Sequence, residues 1–138
     1  MSGKVVLIAD DDETDVYFLT RALKEASPDA VITAVSDGQQ AVDYLAGCGR
    51  YADRATSPFP SCLLLDLKMP LLSGLEVLQW LRHRPPEIGQ LPVTVLSGSE
   101  LASDIEQVRA LAADYIVKPI EYSALVTLMQ GFAQKFLS

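Results

Sequence analysis

Acidic side chains follow directly after two apolar runs of the sequence. Asp10 and Asp11 come after Val5–Ala9, and Asp66 comes after Cys62–Leu65. Carboxylates that lie close together repel one another, so either their pKa values rise or a cation lies among them. Mg²⁺ prefers oxygen ligands and usually takes one or two carboxylates together with a phosphate. Asp10 or Asp11 together with Asp66 would therefore suffice for a weak magnesium site.

A hydroxyl and a lysine follow two further apolar runs. Ser97 comes after Pro92–Leu96, and Lys118 comes after Tyr115–Val117. A lysine can pair with a carboxylate and later with a phosphoryl oxygen, while a serine hydroxyl can donate to a second phosphoryl oxygen. With a carboxylate nucleophile and a metal, these are the parts needed for phosphoryl transfer to an aspartate.

An alternating series of strands and helices must position these residues. The apolar runs predict strands at Val5–Ala9, Val31–Val35, Cys62–Leu65, Pro92–Leu96 and Tyr115–Val117. Apolar residues at three- and four-residue spacing predict helices at Glu13–Ala26, Asp37–Ala46, Gly74–Arg84, Ala102–Ala112 and Glu121–Phe136. This alternation predicts an α/β domain with right-handed crossovers. Ligands of such sheets lie outside the carboxyl ends of the strands, where the polar residues stand.

Two positions leave alternatives open. Asp12 is more often a helix cap than a metal ligand, and it directly precedes the first predicted helix. The segment Gly47–Pro60 is long for a connection between a helix and a strand. We expect it to hold an extra turn, or to be a mobile or partner-facing segment.

The composition indicates one folded domain over residues 1–138, with 49% hydrophobic and 21% charged residues. The net charge of −7 argues against non-specific nucleic-acid binding and against docking on anionic membranes. No apolar run approaches the roughly 20 residues of a membrane span, and the N-terminus does not resemble a signal peptide. Two cysteines outside CxxC spacing favour free thiols and a cytoplasmic location.

Four short motifs stand in order along the chain. They are Leu7-Ile8-Ala9-Asp10-Asp11, then Leu64-Leu65-Asp66-Leu67-Lys68-Met69-Pro70 with Ser73-Gly74, then Val95-Leu96-Ser97-Gly98, and finally Tyr115-Ile116-Val117-Lys118-Pro119. In this order and spacing they resemble the response-regulator receiver domain, the phospho-accepting half of two-component signalling. The resemblance covers essentially the whole chain and implies a flavodoxin-like (βα)5 fold with strand order 2-1-3-4-5.

The resemblance implies a role for each residue at the phosphorylation site. Asp66 would be the phospho-acceptor, and Asp10 and Asp11 the acidic pair, with Asp11 the more direct ligand of Mg²⁺. The backbone carbonyl of Lys68 would complete the protein ligands.

It also implies a second group of residues around the phosphoryl group. Ser97 falls where the family has a Thr or Ser that binds the phosphoryl group, and Lys118 at the position of the family's lysine. The Lys118–Pro119 bond is expected to be cis. Tyr115 falls at the aromatic switch position, and Ala112 departs from the glycine that often precedes the fifth strand.

The function implied is that of a response regulator which is not an enzyme toward external substrates. It would take a phosphoryl group from a sensor histidine kinase or phosphotransfer protein. Because no residues remain after the fifth helix for an output domain, it would signal through a protein target or pass the phosphoryl group on, without binding DNA directly. A homodimer through the fourth helix, fifth strand and fifth helix is an open alternative. Gly47–Pro60 and the helix after it resemble regulators paired with phytochrome-type kinases.

Two other function classes compete with this interpretation. A small phosphatase of the haloacid-dehalogenase type would also form an aspartyl phosphate, but its D-x-D-x-[TV] pattern differs from Asp66-Leu67-Lys68-Met69-Pro70, which lacks the second aspartate. A degenerate receiver that acts only as a binding module is disfavoured because Asp66, Asp11 and Lys118 are all present.

Overall fold

A computed structural model describes residues 4–138, in which five parallel strands lie in the order β2-β1-β3-β4-β5. This confirms the expected flavodoxin-like order. The strands are β1 (Val5–Ala9), β2 (Val31–Val35), β3 (Cys62–Leu65), β4 (Val93–Ser97) and β5 (Asp114–Val117). The helices are α1 (Glu13–Ala26), α2 (Gly38–Ala46), α3 (Gly74–Arg82), α4 (Pro86–Gly89), α5 (Ala102–Ala110) and α6 (Tyr122–Phe136).

Helices cover both faces of the sheet, which explains why the central strands are continuously apolar. Successive side chains of a strand point to opposite faces. Val6 and Ile8 of β1 pack in the cluster that holds the buried residues of α1 together with Met129 and Phe132 of α6. Leu7 and Ala9 pack in the cluster that holds those of α2, α3 and α5. The carboxyl edge of the sheet lies between these two layers.

Side-chain caps fix where three helices begin. The Asp12 carboxylate accepts hydrogen bonds from the N–H groups of Thr14 and Asp15, at 2.9 and 3.2 Å. Asp12 is therefore the cap of α1, as the sequence favours. Asp37 caps α2, and Ser73 caps α3.

The structure shifts seven predicted boundaries, of which those at the starts of α2, β5 and α6 move by one residue. β4 begins at Val93 rather than Pro92, because proline has no N–H to donate to the ladder, and it runs on to Ser97, which pairs with β5. The third helix ends at Arg82 and is followed by α4, a short helix that the apolar pattern does not predict. The next helix, α5, ends before Ala112, whose φ of +57° is left-handed. The predicted fourth and fifth helices are thus α5 and α6.

The long segment Gly47–Pro60 contains an extra turn, a 3-10 helix at Gly49–Tyr51. The Arg54 guanidinium holds this segment against the end of α2 by donating to the carbonyls of Tyr44, Leu45 and Ser57, at 2.8, 2.9 and 3.1 Å. The extra-turn alternative is therefore confirmed.

None of the helices between residues 4 and 138 has the length and apolarity that crossing a bilayer requires.

Candidate functional site

Parallel strands bring the predicted site residues to one edge of the sheet. Asp10 directly follows β1, Asp66 directly follows β3, Ser97 ends β4 and Lys118 directly follows β5. The backbone fixes their spacing, because the N–H of Asp66 donates to the Ala9 carbonyl at 2.9 Å and that of Lys118 donates to the Ser97 carbonyl at 2.8 Å. The four side chains that the sequence singles out thus share this edge.

The Lys118 ammonium lies at the centre of the site. Its Nζ donates to Asp10 Oδ2 at 3.0 Å and lies 3.3 Å from Asp66 Oδ2. It also donates to Asp15 Oδ2 at 2.7 Å, the shortest of the three contacts. Asp15 is not among the predicted site residues, although its place in the first turn of α1, three residues after the cap Asp12, puts it beside this edge.

Three carboxylates form a candidate cation site. Oxygens of Asp10, Asp11 and Asp66 all lie within 4.8 Å of one another. Asp10 is buried, Asp66 is half-buried and Asp11 is exposed. An all-oxygen set that is open on one side fits Mg²⁺, which keeps several of its waters. Lys68 lies in the exposed loop after β3, and the role of its carbonyl stays a prediction.

The pKa values of Asp10 and Lys118 are both raised, for different reasons. Burial raises the pKa of the Asp10 carboxyl, and repulsion from Asp66 adds to the rise against the opposing effects of the Asp12 N–H and Lys118. Burial alone would lower the pKa of Lys118, but hydrogen bonds to Asp15 and Asp10 and the charge of Asp66 outweigh it, so this pKa is raised. Lys118 therefore stays protonated at neutral pH.

Ser97 and Tyr115 are connected through Ser99. The Ser97 side chain is buried, and its Oγ accepts a hydrogen bond from the Ser99 N–H at 3.2 Å. The Tyr115 hydroxyl donates to the Ser99 carbonyl at 2.7 Å. The two predicted switch residues thus share a neighbour, Ser99, that is not among the predicted site residues.

The prediction that the Lys118–Pro119 peptide bond is cis is wrong. Every peptide bond within the described range 4–138 is trans, including that between Lys118 and Pro119. The trans isomer of an X–Pro bond is intrinsically favoured, by about 0.5–1 kcal/mol. Here it is compatible with the contacts of the Lys118 backbone N–H and Nζ with Ser97 and the carboxylates.

The loop after β3 packs tightly against the start of α3. A Cβ atom on Gly74 would lie 2.0 Å from the Asp66 carbonyl oxygen, so only glycine fits there without a backbone shift. The Gly74 N–H also donates to the Leu67 carbonyl at 2.8 Å. The Ser73-Gly74 pair therefore combines a helix cap with the close approach that places the backbone of Asp66.

Comparison with protein families identifies one match. The family described as "Response regulator receiver domain" matches residues 6–130. Response regulator Rcp1 of Synechocystis sp. is 30% identical over 135 residues, which cover 97% of this chain and 89% of Rcp1. Some other relatives are longer, and the chain spans between 8% and 55% of them.

Solved structures of similar chains have the same fold. The phosphorylated cyanobacterial phytochrome response regulator RcpA has a TM-score of 0.89 at 29% identity, covering 98% of this chain and 94% of RcpA. RPA3017, a response regulator in red light signaling of R. palustris, has a TM-score of 0.88 at 35% identity, covering 98% of both chains. A Mn²⁺-bound form of Rcp1 has a TM-score of 0.84 at 30% identity, covering 95% of this chain and 92% of that one.

Proposed function

The chain belongs to the response regulator receiver family of two-component systems, and on that premise we propose that Asp66 accepts a phosphoryl group from a phosphohistidine. The donor would be a sensor histidine kinase or a phosphotransfer protein. The observation that carries the proposal is the contact of Lys118 Nζ with both Asp66 and Asp10, with the Asp11 carboxylate beside them. The haloacid-dehalogenase alternative finds no support in the family match.

The geometry around Asp66 suits a carboxylate nucleophile. Its side chain is 11% exposed, and Oδ2 faces Lys118. The other oxygen is the one we assign to the attack on phosphorus. A P–O bond to Asp66 forms as the P–N bond of the phosphohistidine breaks, and the departing imidazole takes a proton from solvent. Lys118, which stays protonated, pairs with Asp66 Oδ2 and faces the charge that gathers on the phosphoryl oxygens.

A divalent cation would complete the charge balance. Asp10, Asp11 and Asp66, with the backbone carbonyl of Lys68, are the residues we assign to hold Mg²⁺. When bound, Mg²⁺ would offset the negative charge of the carboxylates and of the incoming phosphoryl group. The acidic cluster supports this assignment, because Lys118 alone faces more negative charge than it can neutralise.

We assign the response to phosphorylation to Ser97 and Tyr115. The Ser97 Oγ accepts from the Ser99 N–H, which leaves the hydroxyl proton available to a phosphoryl oxygen. A shift of Ser97 would then change the surroundings of Ser99 and of the Tyr115 hydroxyl bonded to it. The output face would comprise α5, β5 and α6. It would act on a protein target, pass the phosphoryl group on, or form a homodimer. Residues 1–138 would form one receiver domain that does not turn over external substrates.

We further infer that the donor is a phytochrome-type kinase. RcpA is a phytochrome response regulator, and RPA3017 acts in red light signaling. Both match this chain over 98% of its length. Phosphotransfer profiling against a panel of purified histidine kinases tests this inference. Preferential transfer from a kinase that is not a phytochrome would contradict it.

The central test is the site of phosphorylation. Incubation with acetyl phosphate and Mg²⁺ should add the mass of one phosphoryl group to the intact protein, and Asp66→Asn should abolish that gain. The matched control is Asp29→Asn, an exposed carboxylate between α1 and β2 that should leave labelling unchanged. Equal labelling of Asp66→Asn and the unchanged protein would refute the assignment, and sustained turnover of a phosphomonoester would restore the phosphatase alternative.

A further inference from the structure

Ser99 uses each of its polar groups in a hydrogen bond. Its N–H donates to Ser97 Oγ at 3.2 Å, and its carbonyl accepts from the Tyr115 hydroxyl at 2.7 Å. Its own hydroxyl donates to Asp104 Oδ2 at 2.6 Å and accepts from the Leu101 N–H at 3.3 Å. Ser99 therefore joins the two residues assigned to the response to a residue of α5.

The beginning of α5 depends on this connection. The residue before the helix is Leu101, whose side chain has no polar atom to cap the first turn, whereas α1, α2 and α3 each begin after a capping carboxylate or hydroxyl. Val108 is the one fully buried residue of α5. A polar contact in the first turn thus matters more to the placement of α5 than it would in a helix with several buried residues, and Asp104 makes that contact with Ser99.

We propose that Asp104 is a positioning residue for phosphoryl transfer to Asp66, acting through Ser99 on the hydroxyl of Ser97. By accepting the Ser99 hydroxyl, Asp104 fixes the backbone of Ser99 and with it the N–H that orients Ser97. The proposal rests on the proposed function of Asp66. Without Asp104, the Ser99 backbone and the Ser97 hydroxyl would sample more orientations, and fewer of them would suit the transition state.

The first experiment compares Asp104→Ala with Glu106→Ala. Both residues lie in α5, both changes remove one negative charge, and Glu106 is exposed. With acetyl phosphate and Mg²⁺, Asp104→Ala should lower the maximal rate of phosphorylation about three- to tenfold, the effect of losing one hydrogen bond. KM for acetyl phosphate should not change, since the bond acts on orientation. Asp104→Asn keeps an acceptor oxygen and should restore most of the rate.

A double-mutant cycle shows whether the effect passes through Ser97. In a Ser97→Ala background the N–H of Ser99 has no hydroxyl to orient, so adding Asp104→Ala should cause no further loss. An equal loss with and without the Ser97 hydroxyl would overturn the proposal. So would a rate for Asp104→Ala that matches Glu106→Ala.

A second pair of variants removes the same hydrogen bond from its other side. Ser99→Ala deletes the hydroxyl but keeps the backbone groups, and Ser103→Ala is its control on the exposed side of α5. Ser99→Ala should slow phosphorylation as much as Asp104→Ala does, and it decides the question if the latter does not fold. Failure of the unchanged protein to be labelled at Asp66 would refute the proposed function, whereas normal labelling with no difference between the paired variants would refute the positioning role alone.

Discussion

At the carboxyl edge of the sheet, Lys118 faces three carboxylates, whereas at the amino edge two arginines donate their hydrogen bonds to backbone carbonyls. Arg54 donates to carbonyls at the end of α2 and at Ser57. Arg82 donates to the carbonyls of Leu111, Gly89, Leu91 and Ala112, at distances of 2.7, 2.9, 2.7 and 3.2 Å. A guanidinium with its fixed fork of donors suits such convergent carbonyls.

The two edges of the sheet differ in how much charge their contacts leave unbalanced. Carbonyls are neutral, so each arginine satisfies its acceptors without leaving negative charge behind. At the carboxyl edge one positive charge is set against Asp10, Asp15 and Asp66, and Asp11 lies beside them. The arginine contacts at the amino edge are therefore structural and leave no negative charge unpaired. The carboxyl edge carries an excess of negative charge that a cation can balance.

The largest effect should come from Lys118→Met, which keeps the length of the side chain and removes its charge. Phosphorylation of Asp66 should slow by about 100-fold or more, the usual cost of losing one group that stabilises transition-state charge. Affinity for Mg²⁺ should not fall, because the ammonium competes with the cation for the same carboxylates. Stopped-flow phosphorylation and calorimetry measure the two quantities.

The control is Lys135→Met, which removes an exposed ion pair with Asp114. A parallel loss of Mg²⁺ binding and phosphorylation would show that Lys118 acts by building the cation site.

Arg82→Met should have the opposite profile. Four carbonyls lose their donor, so the free energy of unfolding should fall by about 2–4 kcal/mol, while the folded protein is still phosphorylated at Asp66. Urea denaturation measures the loss. Arg109→Met, in the exposed last turn of α5, should change stability by about 0.5 kcal/mol or less. Equal stability of the two variants would mean that water satisfies these carbonyls when the guanidinium is absent.

The same contrast explains what the sequence could predict. Apolar runs predicted β1, β2 and β3, and helical spacing predicted α1, all with the bounds observed. In β1 and β3, burial on both faces leaves a continuous apolar pattern. The rule that parallel strands end at one edge then brought Asp10, Asp66, Ser97 and Lys118 together without any knowledge of the coordinates. Residue type and strand position sufficed for these four.

Contacts to backbone groups could not be predicted in this way. Every residue has a carbonyl, so nothing in the sequence indicates that Arg54 and Arg82 find several of them at one point. Ser99 is likewise defined by the backbone groups that surround it. For the Lys118–Pro119 bond, the sequence supplies the proline but not the isomer, which the surrounding structure decides.

The next prediction separates two neighbouring aspartates at the carboxyl edge. Asp11→Ala should weaken Mg²⁺ binding about tenfold, the effect of losing an interaction of about 1.4 kcal/mol, with little change in stability, because Asp11 is exposed. Asp12→Ala should instead cost about 1 kcal/mol of stability, since it removes the cap of α1. Calorimetry and urea denaturation measure the two effects. A greater loss of Mg²⁺ affinity from Asp12→Ala would show that the acidic pair is Asp10 with Asp12.

The smallest effect should be a gain at the amino edge. Ala112 has a φ of +57°, directly after α5 and its C-cap Leu111, a conformation that strains residues with a Cβ atom by about 1–2 kcal/mol. Ala112→Gly removes that strain but adds freedom to the unfolded chain, worth about 0.4–1 kcal/mol, so the net gain in stability should be about 0.5 kcal/mol. The carbonyl that accepts from Arg82 is unchanged.

The control for that gain is Ala110→Gly, two residues earlier and inside α5. It adds the same freedom to the unfolded chain but relieves no strain, so it should cost about 1 kcal/mol. Urea denaturation should therefore give changes of opposite sign for the two glycines, with phosphorylation of Asp66 unaltered in both. Destabilisation by both would mean that Ala112 carries no strain in solution. The hydrogen bonds that Arg82 donates to the carbonyls of Leu111 and Ala112 would then determine how α5 ends.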